Sequence, residues 1–143
     1  MKKEDFGNMP KGFIRCYKTD CKCRETCLRA QATLYTKSQW ETITVINPDL
    51  ATGDTDCNGF LSTEPVHIAW GMRKLVDCIP HGNAGKLRSQ LIKAYGYYHF
   101  YRMRRGEDPI YPEEQENIIK LVRRNGGTDL PEFERYTDDI RWV

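Results

Sequence analysis

Apolar and polar positions alternate most regularly at residues 66–72, where Val66, Ile68, Trp70 and Met72 are interleaved with His67, Ala69 and Gly71. That period of two predicts a half-buried strand. Residues 40–46 are rich in β-branched and aromatic side chains and stop at Asn47-Pro48, which predicts a second strand starting at Trp40. The helical period dominates the C-terminal half. Asn83 to Arg105 carries a stripe of Leu87, Leu91, Ala94 and Tyr98 and ends at Gly106, so a single long helix with that stripe inward is expected.

Pro112 opens the next helix, with Glu113 and Glu114 in its first turn, Arg123 and Arg124 in its last, and Gly126 beyond. Ile118, Ile119 and Val122 form its buried side. After Gly126-Gly127, Asp129 is placed to cap a short final helix that includes Pro131 and brings in Phe133, Tyr136 and Ile140, with Trp142 pinning the terminus. Met72 to Ile79 reads as a short helix with Leu75 and Cys78 inward, stopped by Pro80. In the N-terminal part, Asp20 is placed to cap a helix from about Lys22 to Ala32 that would set Cys23 and Cys27 on one face.

These elements predict a single α+β domain over residues 1–143: a cysteine-rich knuckle and helix (1–32), strands with a connecting loop (33–82) and a helical part (83–143). A small antiparallel sheet from the segments near Trp40 and Val66 packs against the C-terminal helices. A chain of 143 residues, 39% hydrophobic and 29% charged, can bury a core without staples. The charged start MKKEDFGN is followed by no apolar run, and no stretch reaches the roughly 20 apolar residues of a membrane span. The expected compartment is therefore a reducing cytoplasm, with no membrane partner.

Charge alters this picture in one place. The net charge is only +2, but residues 1–30 carry eight Lys or Arg against four acids, so the excess surrounds four of the six cysteines. Cys16, Cys21, Cys23 and Cys27 have the spacing C-x4-C-x-C-x3-C, and Cys57 follows on a polar loop. Clustered thiols hold a metal, pair as disulfides or serve redox chemistry, and a reducing compartment disfavours disulfides. Nearby cations favour thiolates, which assists both metal binding and reactivity.

The ligand set favoured is Cys16, Cys21, Cys27 and Cys57, with Cys23 as the alternate. Zinc suits four thiolates, and a four-cysteine iron–sulfur cluster is the alternative because spacing does not separate the two.

A second candidate is the basic aromatic helix 86–105. Lys86, Lys93, Tyr97 and Arg104 fall within about 40° of arc on an unbroken helix, and no acid occurs between Asp77 and Glu107. Cations that meet phosphates and tyrosines that stack on bases would make a nucleic-acid interface, whereas a charge run is more often a solvated face. Cys78 with His81 would be a nucleophile and its base only if geometry and a third group supported them. Gly85-Lys86 lacks the glycine and hydroxyl residues of a phosphate loop. His67 and His99 read as structural histidines.

Several stretches resemble a small uncharacterised family of gut Bacteroidales, a domain of unknown function. They are KKEDF, PKGFIRC, Cys27-Leu28-Arg29, Asn47-Pro48, Cys57 with Phe60, YYHFYRMRRG, PEEQENI and FERY. The similarity runs the full length. It implies that Cys16, Cys21, Cys27 and Cys57 are the family's thiols, with Cys23 and Cys78 incidental, and it implies no activity. Asn58-Gly59 after Cys57 departs from the family's more apolar pair.

The leading expectation is a non-enzymatic, metal-stabilised cytoplasmic module that binds or regulates a protein partner. A nucleic-acid-binding protein is the alternative, and a thiol-dependent enzyme comes third.

Overall fold

The computed structural model describes residues 2–37, 41–54, 56–127 and 131–142. They belong to two compact units, one of Met1–Pro65 with Ile140–Val143 and one of Val66–Asp139. The class is α+β, with a two-stranded antiparallel sheet and several helices. Among the described residues no helix is long and apolar enough to cross a membrane.

The first unit has little regular structure. A 3₁₀ turn at Lys3–Phe6 and helix α1 (Leu28–Tyr35) are joined by turns and single bridges. Its apolar centre is Phe6, Leu28 and Ala32, against which Met9, Phe13, Leu61, Ile140 and Trp142 pack. Trp142 meets Phe6 and Phe13 edge-on at 5.9 and 5.3 Å between centroids, so the terminus is pinned as its composition suggested.

Helix α1 starts six residues later than Asp20 would have capped it, with Cys27 as N-cap. The intervening amides are taken by tight turns, Arg24 N–H to Cys21 O and Thr26 N–H to Cys23 O. Cys23 and Cys27 therefore do not share a helical face. The strand expected over residues 40–46 is also not formed. Trp40 lies outside the described residues, and what remains is a single parallel bridge between Arg15 and Val45.

In the second unit, strand β1 (Pro65–Trp70) leads through Gly71 and Met72 into the short helix α2 (Arg73–Asp77). Met72 is thus a buried helix cap and not a strand residue. Leu75 is buried as expected, whereas Cys78, one residue past the helix, is exposed. Helix α3 (His81–Tyr95) and helix α4 (Tyr97–Arg105) replace the single long helix, because Gly96 adopts φ 83° and ψ 157°. That break turns Tyr98 outward and buries Phe100 and Met103 beside Leu87 and Leu91; Ala94, ahead of the break, is exposed.

Helix α5 (Pro112–Arg124) forms as its end signals dictate. Glu114 Oε2 accepts the Tyr111 N–H at 2.9 Å, Ile118 and Val122 are buried, and Gly126 follows at φ 82°. Ala69 of β1 joins Leu87, Leu91, Phe100, Met103, Ile110, Ile118 and Val122 in one core, so the sheet packs on the helices.

The chain then forms strand β2 (Arg135–Ile140) where a final helix was expected; its supposed cap Asp129 lies outside the described residues. Strand β2, not residues 40–46, is the partner of β1. Cross-strand side chains account for the pairing. Trp70 Nε1–H donates to Thr137 Oγ1 at 2.7 Å, the Arg135 guanidinium lies 4.9 Å over the Trp70 ring, and His67 stacks on Tyr136 while bonding Asp138 at 2.8 Å.

Candidate functional site

Four stretches of the first unit are drawn together around the cysteines by backbone bonds. Arg15 donates to Thr44 O and accepts from the Ile46 N–H, while Cys16 N–H bonds Arg29 O of α1, so Cys16 is fixed between two segments. Cys27 caps α1 and bridges antiparallel to Ser62, with Leu28 N–H on Leu61 O and Thr63 N–H on Thr26 O. Lys22 N–H donates to Gly53 O at 2.9 Å, which joins the Cys21–Thr26 turns to the loop that carries Cys57. Gly53 is required there. Its φ is +84°, and a Cβ would stand 3.2 Å from Lys18 and 3.7 Å from the Cys21 backbone.

The result is a cavity of about 10 Å³ lined by Cys16, Cys21, Cys27 and Cys57 together with Ala30 and Ala51. That is room for about one water-sized sphere. All six cysteines are free thiols. Cys16 and Cys27 are buried, and Cys21 and Cys57 are half-buried. Backbone N–H donation from Gly59, assisted by Thr52 and Gly53, holds the Cys57 thiol below its ordinary pKa against the opposing effect of burial. Cys23 is not among the lining residues. Desolvation first, then the neighbouring Cys21, Asp54, Cys27 and Cys57, push its thiol up.

Thus the four favoured thiols, which come from separate turns, border one space, and the alternate stands beside it. They do not converge on a common centre: among the described residues no three Cys, His, Asp or Glu side chains form a group that could hold a metal ion. Lys18, which also lines the cavity, is paired with Asp20 at 3.4 Å. The Gly59 and Gly53 amides and the small side chains Ala30 and Ala51 were invisible in the sequence pattern.

The other candidates lie in the second unit. Cys78 N–H closes α2 on Lys74 O, and His81 opens α3; both side chains are exposed and no hydrogen bond joins them among the described residues. On α3 and α4, Lys86, Lys93 and Tyr97 are exposed and Arg104 is half-buried. Because Gly96 interrupts the helix between Lys93 and Tyr97, the continuous 40° face from which they were selected does not exist.

The histidines have structural partners. His99 Nδ1 lies 3.0 Å from Asp108 Oδ2, and its Nε2 lies 3.8 Å from Glu114 Oε1. Arg102 Nε and Nη2 both approach Asp108 Oδ1 at 2.8 Å.

The Arg102 bond, with His99 assisting, holds the Asp108 carboxyl below its ordinary pKa. A lowered carboxylate pKa contributes stability above its unfolded value, and that stability is lost as pH falls through the folded value. Asp108→Asn is therefore expected to lower the melting midpoint by a few degrees at pH 7, with the gap to the parent closing as the pH falls below the ordinary carboxylate range. A gap that persisted unchanged in acid would show that the carboxylate charge is not what matters.

No curated protein and no solved structure matches the chain. One family matches, over residues 1–142, and its span covers both the thiol cavity and the helical core. The chain belongs to DUF6078, a family of unknown function.

Proposed function

We propose that the thiol cavity is a structural metal site and that the protein is a non-enzymatic, metal-stabilised binding or regulatory module of a reducing cytoplasm. The observation that carries this reading is the meeting of Cys16, Cys21, Cys27 and Cys57 around one cavity of atomic size. Four thiolates match the preference of zinc. A cavity of about 10 Å³ favours a single ion over an iron–sulfur cluster, whose core of several atoms would have to displace the surrounding backbone.

Metal binding requires the thiols to draw inward around the cavity. The Gly59 N–H, aimed at Cys57, already favours the thiolate that such binding needs. The bound ion would supply cohesion and no reaction. It would tie the Cys16 and Cys21–Cys27 segments to the 50–60 loop in a unit whose apolar centre is small.

Protein purified with reductant, aerobically and in parallel anaerobically, is expected to carry about one zinc per chain by elemental analysis and to be colourless. Visible absorbance with iron in the anaerobic preparation would instead assign a cluster. Less than about a tenth of an equivalent of either metal in both preparations would overturn the reading.

A further inference from the structure

A second site in the first unit is independent of the thiols. We infer that the groove walled by Met9, Phe13 and Ile43 and edged by Lys11, Arg15 and Lys37 binds an amphipathic anion, a phosphate or carboxylate head on an apolar body. The groove measures about 880 Å³, inside the range of small-molecule sites. Three cations line it, and among the described residues no acid does.

Arg15 is the informative member. It is only 6% exposed, yet the partner of its guanidinium is a carbonyl, Thr36 O, which accepts from Nη1 at 2.9 Å. Among the described residues no carboxylate pairs with Arg15, Lys11 or Lys37. Among the described residues one carbonyl engages one of the five N–H groups of this side chain, which leaves donors of the guanidinium for a ligand on the groove side. Its planar fork is suited to two oxygens of a phosphate or carboxylate.

The position is held from the backbone. The Arg15 backbone is bonded to Thr44 and Ile46, which fixes where the side chain starts, and Thr36 O holds its guanidinium. The lysines are exposed and sit where they can follow a head group. Behind the apolar wall, Arg29 lies 5.4 Å over the Phe13 ring with its Nε buried and without a partner among the described residues, which adds positive potential to that side of the groove. Half-buried Phe13 and Met9 with the exposed Ile43 give the ligand's apolar part a surface that bulk phosphate would not use.

Calorimetric titration of the full chain with octyl phosphate and with octanoate tests the site and separates its two possible head groups. At least one is expected to bind at least about tenfold more tightly than inorganic phosphate, and octyltrimethylammonium is expected not to bind. Binding of both anions would mean recognition of charge and tail, and binding of one would name the head.

Lys11→Glu with Lys37→Glu, at exposed positions that leave the fold intact by its melting curve, should weaken the bound anion by about tenfold or more. Failure of both anions to bind, binding of the ammonium amphiphile as tightly as the anions, or an unchanged affinity in the charge-reversed variant would each overturn the inference.

Discussion

Replacing Cys16 and Cys57 together with serine is expected to abolish metal binding and to remove the cooperative melting of the unit formed by residues 1–65 and 140–143. Structural zinc contributes on the order of 10 kcal/mol to folding in small thiolate sites. The unit's apolar centre, three buried residues with five others against them, cannot replace that contribution. A serine hydroxyl buried at Cys16 would itself cost about 1–3 kcal/mol, so the variant alone does not separate a metal effect from a packing effect. A chelator does. The parent treated with a strong chelator should melt like the untreated double variant, and the variant should not respond to chelator at all. Cys23→Ser, beside the cavity, and Cys78→Ser, exposed in the other unit, should keep both the metal and the parent's melting curve. A double variant that melts like its parent, with a parent indifferent to chelator, would leave six reduced structural thiols.

The thiol group was legible in the sequence because its chemistry is local: four cysteines lie within a dozen residues, and a fifth follows a polar loop. The frame around them was not. Asp20 is a sound helix cap by type, but the amides downstream are used in turns and Lys22 N–H is captured by Gly53 O, so the helix waits until Leu28. Arg15 shows the same limit from the other side. By composition an arginine belongs on the surface, and its burial follows from a bridge to residues 30 positions away.

Strand β2 failed to show for a related reason. RYTDDI has two adjacent acids and follows Pro131, so neither its period nor its propensity marks a strand. It becomes one because Trp70, His67 and Thr137 meet across the pair, contacts between residues some 70 positions apart. Helix α5 is the contrasting case. Pro112, Glu114, the terminal arginines and Gly126 all act within a turn of their own position, so the element appeared where the sequence placed it.

The helical core offers the sharpest contrast between the periodic pattern and the observed packing, because the two assign opposite roles to Tyr98 and Phe100. Phe100→Ala is expected to destabilise the unit of residues 66–139 by about 3–5 kcal/mol, whereas Tyr98→Ala should stay within about 0.5 kcal/mol of the parent. An unbroken helix from residue 83 would place Tyr98 in line with Leu87, Leu91 and Ala94. Gly96, with φ 83° and ψ 157°, resets the phase: its N–H ends α3 on Ile92 O, and its carbonyl receives the Phe100 N–H to begin α4. Phe100 is then fully buried, and Tyr98 is 83% exposed. Only glycine adopts that backbone geometry readily, so the reset is encoded at one position. Urea melts of the two variants decide the matter: an equal loss in both, or a larger one at Tyr98, would mean that the helix runs through Gly96, and a loss confined to Phe100 means that the break sets which residues form the core.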